Sequence, residues 1–343
     1  MNELLRIERL RTVFPAPTGE FAAVAGIDLA LERGRTLAIV GESGSGKSAL
    51  ALSVMRLVPP PGRIAGGTIV FDGQDLLQLP PAAMRAIRGR RIAMIFQEPM
   101  TSLNPAHTIG AQIIEAMAAH EPETSARALR ARAVTALDRV RIPDPARRFG
   151  AYPHELSGGQ RQRVMIAMAL ACNPELLIAD EPTTALDVTV QAEILSLLRE
   201  LQAETGMALL LISHDLGLVA GMADTVAVIY AGQVVERAAA AALFTDAQHP
   251  YTLGLIGSAP SSFMRQPRLF AIAGTVPNAA TMPAGCRFHP RCALAEEHCI
   301  AERPPLRDVT QGHAAACWRA PLDAIPRGSI GGIKSGHPQG TTV

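Results

Sequence analysis

The chain has 343 residues, of which 48% are hydrophobic, and its formal net charge is +1. This length allows one large domain with an extension or two small domains, and the near-neutral charge gives no basic field that would attract nucleic acid. The longest apolar runs are far shorter than the roughly 20 residues that cross a bilayer, so we expect a soluble intracellular protein that meets membranes only through partners.

The first 40 residues lead into a phosphate-binding loop. Residues 4–40 alternate apolar and polar side chains between turn signals, which predicts short antiparallel strands. Thr36 to Val40 (TLAIV) follows as a buried strand, and the eight residues after it, 41–48, read GESGSGKS. This pattern predicts a strand, a loop that cradles phosphates and a helix that runs from Lys47 to about Leu57.

The composition of the chain singles out the lysine of this loop. Only Lys47 and Lys334 are lysine, and the rest of the 32 basic residues are arginine. A compact ammonium fits between the β- and γ-phosphates of a nucleotide where a planar guanidinium does not. Loop glycines turn backbone amides towards phosphate, and Ser48 is a candidate magnesium ligand. The predicted nucleotide contacts of this loop are Gly41, Ser43, Gly44, Ser45, Gly46, Lys47 and Ser48.

The next segment combines a sheet region with a helical insertion. Residues 66–96 read as strand, turn and strand, with Arg91 to Phe96 as a core strand. Gln97 follows that strand, from where it could reach both magnesium and the attacking water. Residues from about 103 to 150 are helical in pattern and rich in Ala and Arg, which indicates an inserted helical subdomain.

A second anion site is predicted at Leu156 to Gln160 (LSGGQ). The helix that Ser157 opens runs to about Cys172, and its free amides and dipole favour an anion. Because the phosphate loop already holds this chain's own nucleotide, we expect the second site to contact the γ-phosphate of a partner's nucleotide. Its predicted contacts are Ser157, Gly158, Gly159 and Gln160.

Catalytic groups are predicted at the ends of two further strands. Leu176 to Glu181 (LLIADE) is an apolar strand that ends in two acids. Asp180 is expected to hold magnesium, and Glu181 to polarise the attacking water. The strand from Ala208 to Ser213 precedes His214, which could contact the γ-phosphate.

Beyond residue 250 the composition changes, and four of the five cysteines follow: Cys286, Cys292, Cys299 and Cys317. In an intracellular chain, clustered cysteines indicate a metal site more often than disulfides. The chain has no C-x-x-C pair, however, which argues against a zinc ribbon. Four thiolates can hold a [4Fe–4S] cluster. A zinc site is the first alternative, since His289 and His298 lie nearby in the sequence, and plain thiols without a metal are the second. We expect this segment to be separate from every ATP motif.

These motifs, in this order, resemble the ATP-binding subunit of an ABC transporter over residues 5 to about 320. The resemblance is strongest to the dipeptide/oligopeptide (and nickel) importer subfamily, and it is carried by FQEPMTSLNP at 96–105, YPHELSGGQRQRVMIAMAL at 152–170, DEPTTALDVTVQ at 180–191 and HPYTLGL at 249–255. It implies an α/β P-loop ABC ATPase with a RecA-like core sheet, an N-terminal antiparallel β subdomain, a helical subdomain and a small Cys-containing C-terminal extension.

The same resemblance implies a domain plan and a set of site residues. The nucleotide-binding domain would span 1–250 with its helical subdomain at about 103–160, the extension 251–325, and a disordered tail 326–343. An aromatic ring would stack on adenine, with Phe14 favoured over Phe21. The stretch GCRFHPRC at 285–292 is similar to an extension that carries a [4Fe–4S] cluster in some relatives.

The resemblance also implies partners and a place of action. The subunit would hydrolyse ATP to energise import of di- or oligopeptides, peripherally at the cytoplasmic face of the cell membrane. Two transmembrane permeases, a second ATPase subunit and an extracytoplasmic substrate-binding protein would complete the transporter, with no nucleic acid. The sequence does not identify the cargo.

Three other kinds of ABC protein compete with an import ATPase. ABC ATPases of DNA repair carry long coiled-coil or zinc insertions before LSGGQ, whereas about 110 residues without sustained heptads intervene here. Translation-linked ABC proteins have two cassettes, and this chain has one phosphate loop. A catalytically dead cassette is disfavoured because Lys47, Glu181 and His214 are intact.

Overall fold

The computed structural model describes residues 2–17, 19–97, 102–184, 186–258 and 272–322. The N-terminal part forms an antiparallel sheet, as predicted, with strand order β2-β1-β4-β5. Its strands are longer than expected, since the first two have 14 residues each. The bounds are β1 (Glu3–Ala16), β2 (Gly19–Glu32), β4 (Arg63–Phe71) and β5 (Gln74–Asp75).

A second, mixed sheet forms the core, in the order β11-β12-β10-β9-β3-β8-β7-β6. Strands β9, β3, β8, β7 and β6 run parallel, and the other neighbours are antiparallel. The carboxyl ends of the parallel strands therefore meet at one edge, where α/β sheets bind ligands. The bounds are β3 (Thr36–Val40), β6 (Ile92–Ile95), β7 (Leu176–Asp180), β8 (Ala208–Ser213), β9 (Thr225–Tyr230), β10 (Gln233–Ala239), β11 (Arg307–Thr310) and β12 (His313–Ala315).

Helices cover the core sheet and fill the predicted helical insertion. The α-helices are α1 (Lys47–Val54), α2 (Pro81–Ile87), α3 (Ile109–Ala118), α4 (Ala126–Arg139), α5 (Pro145–Arg148), α6 (Gly158–Leu170), α7 (Val188–Thr205), α8 (Leu216–Val219), α9 (Ala240–Thr245), α10 (Pro250–Ser258) and α11 (Glu297–Ala301). Short 3-10 turns lie at Leu76–Gln78, Pro153–Glu155 and His289–Arg291. Helix α2 was not predicted, since residues 66–96 were expected to form a strand, a turn and a strand. The helix begins with Pro81, and the first position of a helix tolerates a residue that lacks a backbone N–H.

The core lies on both faces of the mixed sheet. Successive residues of a strand point to opposite faces, so Ile39 packs with the antiparallel sheet and α1, while Val40 packs with the helices on the other side. All five residues of β3 are buried. This two-sided burial explains why the parallel strands read as continuous apolar runs in the sequence.

The cysteine-containing extension is part of the core, which corrects the expectation of a separate segment. Its strands β11 and β12 continue the core sheet through β10. Phe288 is buried, and its ring lies edge-on to Tyr230 at 5.2 Å between centroids. This pairing could not be predicted from the sequence, because strands of three or four residues are too short to show a clear alternation.

A buried hydrogen bond between a histidine and a carboxylate fastens the extension to the sheet. Nε2 of His313 lies 2.7 Å from Oε1 of Glu236, whose side chain is completely buried. The Glu236 carboxylate also accepts hydrogen bonds from the backbone amides of Gln248 and His249. The hydrogen bond to Glu236 raises the pKa of His313. The extension is therefore held by a charge-assisted contact as well as by sheet pairing.

Some sequence predictions are not tested by the described structure. The boundaries at 250, 325 and 103–160 stay predictions, and the tail 326–343 lies outside the described residues, as does part of the 96–105 motif. In the part of the chain that the structure describes, no helix has the length and apolar character needed to cross a membrane.

Candidate active site

The phosphate loop joins β3 to α1 in a conformation that requires glycine. Gly41 has φ +157°, and a Cβ there would lie 2.2 Å from the carbonyl oxygen of Ile229. Gly46 has φ +106°, and a Cβ there would lie 2.1 Å from the carbonyl oxygen of Ala23. Both close approaches exclude any side chain, so these two glycines fix the path of the loop.

Lys47 is folded back into this loop. Its side chain is 5% exposed, and its Nζ donates to the carbonyl oxygens of Gly41 at 2.8 Å and Glu42 at 3.0 Å. The same Nζ lies 3.9 Å from Oε1 of Glu181. Burial lowers the pKa of Lys47, while the carboxylates of Glu181 and Asp180 oppose that shift. The ammonium thus lies between the phosphate loop and the acidic strand end.

Asp180 ends β7 beside this ammonium and is 3% exposed. Among the described residues, its Oδ1 has no hydrogen-bond partner. Burial raises the pKa of Asp180, and the hydrogen bond with Ser48 opposes the rise. A buried carboxylate oxygen without a partner, next to a hydroxyl, is a donor set that suits a hard cation such as Mg²⁺.

Glu181 is the point at which the predicted catalytic residues converge. Its Oε2 lies 3.0 Å from Nε2 of Gln97, 2.9 Å from Oγ1 of Thr184 and 3.2 Å from Nδ1 of His214. The side chain of Glu181 is only 10% exposed, and its backbone is left-handed with φ 47°. Such a conformation is costly for a residue with a Cβ, and it aims the carboxylate into the site.

Sequence reasoning missed one member of this group, Thr184. Its hydroxyl donates to Glu181, three residues earlier in the chain. The only available signal was the spacing, since Ser and Thr side chains often bond to groups a few residues away in turns. The structure thus brings the side chains of Gln97 and His214 to that of Glu181 from three strand ends, and it adds Thr184.

The LSGGQ stretch forms an exposed helix N-terminus. Ser157 caps α6, its hydroxyl accepts from the amide of Gln160 at 3.3 Å, and the Gln160 side chain accepts from the amide of Ser157 at 3.1 Å. Ser157 and Gly158 are exposed, and Gly159 is half-buried. Within the described residues, no hydrogen bond or ion pair joins this stretch to the phosphate loop.

The two candidate adenine-stacking rings lie on neighbouring strands. Phe14 on β1 pairs directly with Phe21 on β2, so both side chains lie on the same face of the antiparallel sheet. The Phe14 ring packs against Gly62, where a Cβ would lie 2.3 Å from the ring. Phe21 lines a cavity together with Met282 and Arg303 of the extension.

The four cysteines of the extension surround one small cavity. Cys286, Cys292, Cys299 and Cys317 all line it, and all four thiols are free. Burial raises the pKa of Cys286 and Cys317, and that of Cys292 to about 12. Across the described ranges, however, no three or more Cys, His, Asp or Glu side chains are grouped so that they could hold a metal ion. The geometry therefore does not support the predicted metal centre.

The zinc alternative is not supported either. His289 lines the same cavity, with its Nδ1 2.9 Å from the carbonyl oxygen of Cys286, but within the described residues it does not join a group of three or more possible metal ligands. His298 is exposed on α11 and stacks edge-on to Trp318, 4.3 Å between ring centroids.

Comparison with known proteins agrees with this site. A family model described as "ABC transporter" matches residues 24–184, and one described as "Oligopeptide/dipeptide transporter, C-terminal region" matches residues 235–299. A putative peptide import ATP-binding protein of Brucella abortus is 51% identical, over 92% of this chain and 97% of that protein. The chain belongs to the ABC transporter ATP-binding proteins of the peptide import subfamily. The predicted family is confirmed.

Further matches of this ABC transporter ATP-binding protein support the fold. The dipeptide transport ATP-binding protein of Escherichia coli is 47% identical, over 95% of this chain and 99% of that protein. A solved dimeric ATP-binding cassette in a post-hydrolysis state with ADP and Pi, MJ0796, aligns with a TM-score of 0.62 and 26% identity, covering 69% of this chain and 99% of that one. The predicted ABC ATPase fold is confirmed.

Proposed function

We propose that this chain hydrolyses ATP to energise the import of di- or oligopeptides, with Glu181 as the catalytic base. The observation that carries this proposal is the position of Glu181, where Gln97, Thr184 and His214 converge and Lys47 lies at 3.9 Å. The family supports the activity, since the chain is an ABC transporter ATPase of the peptide import type.

The proposed chemistry is an in-line attack of water on the γ-phosphorus. The oxygen of water bonds to phosphorus, the bond to the β-phosphate oxygen breaks, and the water proton passes to a Glu181 oxygen. Lys47 exchanges its two loop carbonyls for phosphate oxygens, since an ammonium binds phosphate more strongly than a carbonyl. Gln97 and His214 hold the carboxylate and orient the water.

The chain offers ligands that fit magnesium. Ser48, Asp180 and Gln97 would hold the ion, which would neutralise charge on the β- and γ-phosphates. The support is the unpartnered Oδ1 of Asp180, beside the Ser48 hydroxyl. The amide nitrogen of Gln97 is engaged by Glu181, which leaves the amide oxygen, a suitable ligand type.

The LSGGQ helix is proposed to act on a second ATPase subunit. The exposed N-terminus of this helix, at Ser157 and Gly158, offers backbone amides and a helix dipole to an anion. Within the described residues, the phosphate loop of this chain makes no hydrogen bond to it. The related cassette with ADP and Pi is a dimer. In a similar dimer, the LSGGQ stretch of this chain would complete the ATP site of the partner, through Ser157, Gly158, Gly159 and Gln160. The partner's LSGGQ stretch would complete the ATP site of this chain.

The remaining assignments follow from the peptide import family. Two transmembrane permeases and an extracytoplasmic substrate-binding protein would complete the transporter, with this subunit at the cytoplasmic face of the membrane. Phe14 would stack on adenine. Recovery of the chain in a complex with two membrane proteins, and peptide uptake by that complex only when ATP is supplied, tests this assignment. Recovery on nucleic acid without membrane partners would contradict it.

We propose that the cysteine cavity holds a [4Fe–4S] cluster, with zinc or plain thiols as the alternatives, although the side chains as placed among the described residues do not form a metal-binding group. The support is that four thiols from separate turns of the extension, Cys286, Cys292, Cys299 and Cys317, line one cavity. Burial raises the pKa values of Cys286, Cys292 and Cys317 and so favours their protonated forms, and a bound metal would have to displace those protons, which makes cluster binding dependent on pH.

We expect anaerobically purified protein to be brown, with broad absorption near about 400 nm and roughly four iron atoms per chain. Cys292→Ser should remove the colour and most of the iron, because it deletes one of four ligands. Cys172→Ser is the matched control, since Cys172 lies outside this cavity and its thiol contacts Ala116. Colourless protein with one zinc, or with no metal and four titratable thiols, would contradict the cluster.

A further inference from the structure

The extension touches the phosphate loop through one buried arginine. Both terminal nitrogens of Arg291 donate to the Glu42 carboxylate, at 2.8 and 3.1 Å. The Arg291 side chain is 6% exposed, and that of Glu42 is 27% exposed. These residues are 249 positions apart, so the contact joins the second residue of the phosphate loop to the cysteine-containing segment. Two-pronged pairs of this kind fix the orientation of both partners.

Arg291 is itself held rigidly by the extension. Its remaining hydrogen bonds go to the carbonyl oxygens of Ile272, Ala273 and Gly274 and to the hydroxyl of Tyr230. Two cation–π contacts, with the rings of Tyr230 and Phe288, complete its surroundings. An arginine with this many fixed partners presents its guanidinium to Glu42 in one geometry.

Every polar group of Glu42 is engaged. The backbone amide donates to the hydroxyl of Tyr251 at 2.8 Å, and the carbonyl oxygen accepts from Nζ of Lys47 at 3.0 Å. The carboxylate accepts from Arg291. The extension therefore holds the backbone of the phosphate loop at its second residue, Glu42, through the Arg291 contact.

A second arginine of the extension supports the other half of the loop. Arg287 is 8% exposed and donates to the carbonyl oxygen of Ala231. The next residue, Gly232, donates its amide to the carbonyl oxygen of Ser45 at 2.7 Å. Gly232 also lies against Gly46, where a Cβ would be 3.4 Å from its Cα. The turn that Arg287 holds is thus in direct contact with the end of the phosphate loop.

We propose that Arg291 and Arg287 are positioning residues for ATP binding, through which the C-terminal extension holds both halves of the phosphate loop. The inference rests on the proposed function, in that the loop binds ATP. It assigns the extension a role in nucleotide affinity. A phosphate loop that is already held in its binding geometry loses less conformational freedom when ATP binds, so its affinity for ATP is higher.

The test uses the full chain and compares Arg291→Met with Glu42→Gln. Methionine keeps much of the volume of arginine but removes the guanidinium, and glutamine keeps the shape of glutamate but removes its charge. We expect each variant to weaken equilibrium ATP binding roughly fivefold or more. In the assembled complex the KM for ATP should rise by a similar factor, while kcat at saturating ATP changes less than about twofold, because bound phosphates restore the loop.

Two further variants make the test specific. The double variant should bind ATP about as weakly as either single variant, since both changes remove the same contact. Arg307→Ala is the control, because Arg307 lies in the extension and donates to the carbonyl oxygen of Ala320, away from the loop. It should bind ATP like the wild type. If Arg291→Met lowers the melting temperature strongly, Glu42→Gln alone decides, since it leaves Arg291 and the extension intact.

The outcomes separate this proposal from the proposed function. Wild-type ATP affinity in Glu42→Gln, together with a large loss in Lys47→Ala, would overturn the positioning role and leave the ATP site intact. Wild-type affinity in Lys47→Ala would overturn the ATP site itself. Additive losses in the double variant would also overturn the proposal, because independent effects do not describe one shared contact.

Discussion

Glu181→Gln is expected to reduce ATP hydrolysis at this subunit's site by roughly 100-fold or more, while ATP binding is retained. The amide oxygen of glutamine can replace the carboxylate oxygen in the hydrogen bonds with Thr184 and His214. The amide cannot accept the proton of the attacking water, however. The contacts of Lys47 and Ser48 with the phosphates are unaffected. The variant should therefore hold ATP and accumulate as a closed dimer with the partner ATPase.

The measurement is single-turnover hydrolysis in the complex, with the partner's site disabled so that only this site contributes. Glu32→Gln is the matched control, because Glu32 is an exposed residue at the end of β2. It should hydrolyse ATP like the wild type. A wild-type rate in Glu181→Gln would show that another group acts as the base.

Lys47→Ala and Ser157→Arg are expected to fail at different sites. Removal of the ammonium should weaken ATP binding to this subunit by roughly 100-fold or more, because the buried phosphates lose their opposing charge. Ser157 instead caps an exposed helix that is proposed to face the partner's nucleotide. Ser157→Arg should therefore leave ATP binding to the isolated subunit nearly unchanged and block hydrolysis at the partner's site.

Equilibrium ATP binding to the purified subunit separates the two variants, and hydrolysis by the complex locates the defect. Ser125→Arg is the control for Ser157→Arg, since Ser125 is also an exposed serine that caps a helix, α4. Both substitutions lose a cap worth about 1 kcal/mol, so any common effect on stability is matched. A large loss of ATP affinity in Ser157→Arg alone would indicate that LSGGQ acts on this chain's own nucleotide.

The sequence could place candidate site residues where each one follows a buried parallel strand. Such strands read as continuous apolar runs, and the ligand-binding edge of the sheet lies at their carboxyl ends. Gln97, Glu181 and His214 could be placed near one another on that basis. Thr184 could not, because its contact depends on the left-handed backbone of Glu181, which has no signature in the side chains.

The contacts between the extension and the phosphate loop could not be predicted from the sequence, for a different reason. The pair Glu42–Arg291 joins residues 249 positions apart, and a single sequence carries no sign of such a pairing. The strands β11 and β12 are too short to show a period, so the segment looked detached from the ATP motifs. The four cysteines were seen at once, yet spacing alone does not give the geometry of a metal site.

ATP hydrolysis at this subunit is expected to drive peptide import. The most direct test is uptake of a labelled peptide into proteoliposomes that contain the purified transporter, with binding protein outside and ATP inside. We predict ATP-dependent uptake with the wild-type subunit and loss of uptake with Lys47→Ala or Glu181→Gln. Uptake that proceeds at the wild-type rate with both variants would contradict this expectation.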